Sequence, residues 1–232
     1  MRYLALLLTL VTCAASGAAP IRVAVAANFK TTLSQISDQF QRDTGYRVVL
    51  SSGSTGALYS QIIHGAPFEL FFAADREATA RLHAGGRGGR PFCYASGELV
   101  LAGGNGELAQ LADPRLSLAI ANPVTAPYGA AAMTVLARAE FAGGQGRKLV
   151  RGTNVVQALQ FWRSGATDLA LLPRALAPAA TTVPARWYQP IEQHAIVLQP
   201  GAGSPAIDAY LNWIRSDRVR ALITDAGYRP CP

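Results

Sequence analysis

Three times before Gly85 this chain hands over from a mainly apolar run to a run with helical spacing. Val23 to Ala27 is apolar throughout, and from Thr31 the apolar residues fall at Leu33, Ile36 and Phe40, a helical period that Gly45 closes. Tyr46 to Leu50 is a second such run, followed by a short helical stretch marked by Leu58 and Ile62 that stops near His64-Gly65. Phe68 to Ala74 is a third, with Asp75 placed to cap a helix reaching about Ala84. Strands that are apolar on both faces and alternate with helices belong to a mainly parallel sheet covered on both sides. The fold class is therefore α/β.

After the turn Gly85 to Arg90 the same grammar resumes. Strands are expected at Glu98 to Ala102, Leu118 to Ala121, Asp168 to Leu172 and His194 to Pro200. Helices are expected from Tyr128 to Phe141, Val155 to Trp162, Ile207 to Ile214 and Val219 to Ala226. The chain thus reads as two α/β units with the last helices appended. If the strands at Glu98 and His194 both cross between the units, they form a two-strand hinge. The expected division is 1–19 leader, 20–96 first lobe, 97–194 second lobe, and 195–232 a return to the first.

The opening "MRYLALLLTLVTCAASGAAP" has the layout of a secretory signal with small residues before a cleavage point. Its apolar run is far shorter than the roughly 20 residues a membrane span needs; a lipoprotein box ending at Cys13 is the alternative. The mature chain is then expected to be a soluble, exported protein. Without Arg2, 20 basic and 14 acidic residues leave a net charge of +6. The basic residues are scattered rather than set in a stripe, so a nucleic-acid partner is not expected. Cys93 and Cys231 remain in an exported chain, where a disulfide persists; two buried thiols are the other reading.

The chemistry sits at the helix starts. Asn28, Ser54-Thr55, Thr125 to Tyr128 and Thr153-Asn154 each stand where a strand hands over to a helix. Any one of them reads as an N-cap. In an open α/β sheet, however, such loops gather on one side, and helix N-termini present free N–H groups and about half a positive charge to an anion. None of the four loops carries Asp or Glu, so the shell is one of donors. It suits a fully ionised oxyanion such as molybdate, tungstate or sulfate better than phosphate, whose own proton needs an acceptor.

Other chemistries are poorly supported. His64, His83 and His194 match no metal spacing, so no metal ligand is expected. "GAGSPA" imitates a dinucleotide fingerprint, but reads as a loop with Ser204 as cap and Pro205 in the first helical turn. No hydrolase triad is completed. Neither a cofactor nor catalysis is expected.

The blocks "VAVAANFKTTL", "GSTGALYSQIIHGAPFELFFAAD", "ANPVTAPYG" and "NVVQAL", in that order, resemble the periplasmic molybdate-binding proteins of ABC importers. The resemblance implies a two-lobed class II periplasmic binding fold that closes on a tetrahedral oxyanion. It implies a site made by Ala27 and Asn28 in the first loop, Ser54 or Thr55 in the second, Tyr128 in the third, and the backbone of Val155 in the fourth. It also implies a membrane permease as partner and a monomeric carrier of molybdate or tungstate. Some members carry a tyrosine after the strand equivalent to Asp168 to Leu172, where this chain has Pro173, and sulfate is the alternative cargo. An enzyme or sensor domain on the same fold is the rival from another class.

Overall fold

The computed structural model describes residues 19–232, and all of the expected leader except Ala19 lies outside them. Two five-stranded sheets form two lobes. In the first lobe β1 (Ile21–Ala26), β2 (Val48–Gly53) and β3 (Leu70–Phe72) run parallel, separated by α1 (Lys30–Thr44) and α2 (Thr55–Ile63). After α3 (Glu77–Ala84) the chain enters β4 (Phe92–Gly97), and β10 (Ile191–Val197) lies antiparallel between β3 and β4. The strand order is β2-β1-β3-β10-β4.

The second lobe repeats the arrangement. It is entered by β5 (Leu99–Gly103), continues with parallel β6 (Leu118–Ala121), β7 (Leu149–Gly152) and β8 (Leu169–Pro173), and closes with β9 (Thr181–Thr182). The order β7-β6-β8-β5-β9 mirrors that of the first sheet. Helix α4 (Pro127–Leu136) follows β6 and α5 (Val155–Arg163) follows β7, while α6 (Pro205–Ile214) and α7 (Asp217–Asp225) pack back on the first lobe against α1.

The sheets are covered on both faces, as the apolar runs require. One face of the first sheet packs Leu33, Ile36 and Phe40 of α1 against Tyr210 and Ile214 of α6; the other packs Leu58 and Ile62 of α2 against Phe71 and Leu82. Ala26, Ala27 and Ala74 of the first lobe share a cluster with Ala126, Tyr128 and Val155 of the second. The two lobes are thus in contact along their strand ends.

Several elements differ from expectation. The second strand is Val48–Gly53 rather than 46–50, because its register with β1 runs from Ile21↔Val48 to Ala26↔Gly53 and carries it through Ser51-Ser52. Helix α4 stops at Leu136, and a 3-10 segment, Ala139–Gly144, turns Phe141 into the second core. The strand expected at 194–200 begins at Ile191, where it pairs with Gly97, so residues 191–194 belong to the first sheet. The crossing is correspondingly sharp: β4 and β5 lie in different sheets with Glu98 alone between them. Glu98 is buried there between Arg229 Nε of the C-terminal segment at 2.7 Å and Arg174 Nη1 after β8 at 3.4 Å.

Cys93 and Cys231 are joined, with Cα atoms 6.1 Å apart. The bond fixes the last residues against β4, and Ser96 and Arg229 exchange two backbone hydrogen bonds of 2.8 Å beside it. Among the described residues no helix is long and apolar enough to cross a membrane.

Candidate anion-binding site

The loops after β1, β2 and β3 meet those after β6 and β7 where the lobes touch. Together they line a small cavity formed by Ala26, Ala27, Asn28, Ser54, Thr55, Ala74, Ala126, Pro127, Tyr128, Asn154 and Val155. All six residues expected from the sequence, Ala27, Asn28, Ser54, Thr55, Tyr128 and Val155, lie in this one lining. About 10 Å³ is open to the centre of a water molecule, roughly the room of one water. The lobes meet beside it, where the Gly56 N–H of the first donates to Thr125 O of the second at 2.9 Å.

Its surface is built of donors. Thr55 and Val155 open their helices, and Tyr128 is the second residue of α4 behind Pro127, so their N–H groups have no partner inside the helix. The Asn28 N–H lies in the tight turn in which the Phe29 N–H bonds to Ala26 O at 2.9 Å. None of these four N–H groups has an acceptor among the described residues. The Thr55 hydroxyl accepts the Ala74 N–H at 2.9 Å, which orients it and leaves its proton to donate. Ser54 is the cap residue of α2, yet its side chain makes no capping bond.

Of the four expected caps only Asn154 acts as one, taking Val156 N–H at 2.9 Å and Gln157 N–H at 3.2 Å on Oδ1. Asn28 does not cap α1. Both hydrogens of its side-chain amide go elsewhere, to Gln193 Oε1 at 2.8 Å and to the Tyr228 hydroxyl at 3.2 Å. The Tyr128 side chain also points away, its hydroxyl accepting from Gln193 Nε2 at 3.1 Å. It passes over Gly97, where any Cβ would overlap that hydroxyl.

No charged side chain lines the cavity. The nearest acid in sequence, Asp75, turns its Oδ1 to the Ala78 N–H at 2.8 Å, and burial pushes its carboxyl above the usual range. Burial likewise pushes the Tyr94, Tyr128 and Tyr228 hydroxyls upward, so all three are neutral at ordinary pH. Free N–H groups at three helix starts concentrate positive potential on one point. Such a shell replaces the water around an acceptor-only anion. Among the described residues no group of three His, Cys, Asp or Glu could hold a metal ion.

Comparison with known proteins agrees in family and fold. Residues 21–229 match the family model of the bacterial extracellular solute-binding proteins. The chain belongs to that family. It is similar to the molybdate-binding protein ModA of Azotobacter vinelandii, 38% identical over 235 aligned residues that cover 94% of this chain and 93% of the relative. It is 34% identical to the molybdate-binding protein ModA of Rhodobacter capsulatus, over 97% of this chain and 93% of that one. The solved periplasmic molybdate-binding protein of A. vinelandii superposes with a TM-score of 0.81 and 34% identity, covering 91% of this chain and all of that one. The fold is that of a two-lobed periplasmic binding protein.

For this solute-binding protein the sequence reading missed the residues behind the site. Gln193, Tyr94 and Tyr228 lie far from the four loops in sequence, and no motif marks them. Gln193 stands just before the strand expected at His194, between Glu192 and His194, and nothing in that polar stretch sets it apart. Pro173 closes β8 opposite Leu99 and is not among the residues that line the cavity.

Proposed function

We propose that this chain is a periplasmic binding protein that captures molybdate, and tungstate nearly as well, and delivers it to an ABC-type importer in the membrane. The observation that carries this reading is the convergence of six residues from four loops, two in each lobe, on one uncharged cavity of donors. The relatives of the same length are molybdate-binding proteins by name, which supports the same ligand. Ala27, Asn28, Thr55, Tyr128 and Val155 line the pocket with backbone, and Ser54 and Thr55 add hydroxyls. No residue at the site is placed as nucleophile or base, so the proposed action is capture without bond-making.

Capture follows from the two lobes. Open, they admit the hydrated dianion; closed, the donors of both lobes replace its water. Closure is registered by the Gly56 N–H, which reaches across to Thr125 O at 2.9 Å. The closed form is what the permease recognises. The cavity has room for about one water, so the lobes part slightly around a tetrahedral oxyanion, and the separation at which donors of both lobes reach it distinguishes molybdate and tungstate, close in size, from the smaller sulfate. Phosphate is disfavoured for a second reason, because its proton meets no carboxylate in the lining.

The test is metal content. Native protein incubated with molybdate and passed over a desalting column should carry one molybdenum per chain by elemental mass spectrometry. The Ser54→Ala, Thr55→Ala double variant should carry almost none. Absence of molybdenum from the native protein would overturn the reading.

A further inference from the structure

Gln193 is a fully buried polar side chain beside the site that does not line it. Its Oε1 accepts from Asn28 Nδ2 at 2.8 Å and from the Tyr94 hydroxyl at 2.9 Å, and its Nε2 donates to the Tyr128 hydroxyl at 3.1 Å. One side chain thus joins the first loop, β4 and the start of α4 in the opposite lobe. The backbone is shaped for this: pairing between β10 and β4 jumps from Gln193↔Ala95 to His194↔Cys93, which leaves Tyr94 as an extra, bulged residue.

Tyr228 holds the same loop from the other side. Its hydroxyl donates to Asn28 O at 2.7 Å and accepts from Asn28 Nδ2 at 3.2 Å, across 200 positions of sequence. Its ring packs edge-on to Phe29 with centroids 5.3 Å apart. The disulfide and the Ser96–Arg229 bridge fix the segment that carries it.

The Tyr94 hydroxyl lies within reach of both Gln193 Oε1 and Ala73 O, at 2.9 and 3.1 Å, so the sense of the network is set by Tyr228. With the Tyr228 proton committed to Asn28 O, the tyrosine oxygen can only accept, so Asn28 must turn its NH₂ toward it. The second amide hydrogen of Asn28 then requires the oxygen of Gln193, which leaves the Gln193 NH₂ for Tyr128.

We propose that Gln193 and Tyr228 are positioning residues for the oxyanion: they hold Asn28 so that its backbone N–H faces the cavity, and Gln193 ties that loop to the closing lobe through Tyr128. The inference rests on the anion-binding reading above. An amide suits the place because it donates and accepts without adding charge beside a dianion. Glutamate there distinguishes positioning from mere packing. Protonated, it keeps a donor and an acceptor; ionised, it repels the anion, and burial raises the pH at which it ionises. The titratable groups around position 193 are Tyr94, Tyr128 and Tyr228, with Tyr188, Asp75 and Glu98 further off and His194 next along the strand, and all are shared with the native protein.

The experiment is calorimetric titration of molybdate into native, Tyr228→Phe and Gln193→Glu proteins from about pH 6 to about pH 9, with melting temperatures of the ligand-free forms. Tyr228→Phe keeps the ring and should weaken binding about tenfold and also lower the melting temperature, because Asn28 O and one Asn28 amide hydrogen lose their partner; the Gln193→Glu pH profile is the readout that a merely structural role would not move. Gln193→Glu should lose affinity steadily as pH rises, relative to the native profile. Native affinity in both variants, or a Gln193→Glu profile parallel to the native one, would overturn the proposal. A native protein that ignores molybdate but binds another oxyanion would overturn the ligand reading alone; the two variants are then read with that anion and support or overturn positioning by the same criteria.

Discussion

Ser54 and Thr55 are neighbours at the start of α2, and they differ in what holds them. Thr55 is oriented by the Ala74 N–H, whereas the Ser54 hydroxyl makes no capping bond. Each is a donor to the proposed anion, and a hydrogen bond to a charged partner contributes about 1.5–3 kcal/mol. Ser54→Ala should therefore weaken molybdate binding about tenfold or more, with melting temperature nearly unchanged. Thr55→Val should weaken it at least as much and also lower stability, because the Ala74 N–H loses its acceptor. Calorimetry and thermal melting on the two variants check both statements. The buried tyrosines make a different prediction. Tyr94, Tyr128, Tyr210 and Tyr228 are all held above the ordinary tyrosine range by burial. Below about pH 10 folded and unfolded chains are equally protonated at these groups; above it the unfolded chain releases protons that the folded one retains. Stability should consequently fall as pH rises beyond about 10, seen as a declining melting temperature.

At the scale of elements, the contact that most directly reports closure lies between α2 and the loop before α4. Gly56 donates to Thr125 O, and a Cβ on Gly56 would stand 3.1 Å from Thr125 Cα. A larger side chain there meets backbone of the other lobe. Gly56→Leu should hold the lobes apart and weaken molybdate binding about ten- to a hundredfold while the ligand-free protein melts near its native temperature; an unchanged affinity would remove this contact from the closure. Most of the elements around the site were legible because parallel strands buried on both faces leave uninterrupted apolar runs, as in "LAIA" and "LALL". The strands that were missed lack that mark. β4, "FCYASG", is half-buried and pairs antiparallel across a bulge; β7, "LVRG", is a four-residue edge strand with an exposed arginine. β10 was displaced by three residues because its start is set by pairing with Gly97, which local sequence does not express.

The whole molecule is two copies of one sheet order facing each other, so that the loops after corresponding strands supply donors from opposite sides. The loop residues were legible from helix-start chemistry and family resemblance together. Their division of labour was not. Asn28 looked like a side-chain donor or a cap, but a glutamine 165 positions later and a tyrosine 200 positions later claim its amide, and only the fold brings those together. We propose that this uncharged shell holds a fully ionised tetrahedral anion. The most direct test is calorimetric titration of the ligand-free native protein with molybdate, tungstate, sulfate and phosphate under one buffer. Molybdate and tungstate should bind tightly and alike, sulfate more weakly, and phosphate least of all, by about tenfold or more where its proton lacks an acceptor. Tight binding of phosphate or sulfate with no response to molybdate would rule out molybdate as the cargo.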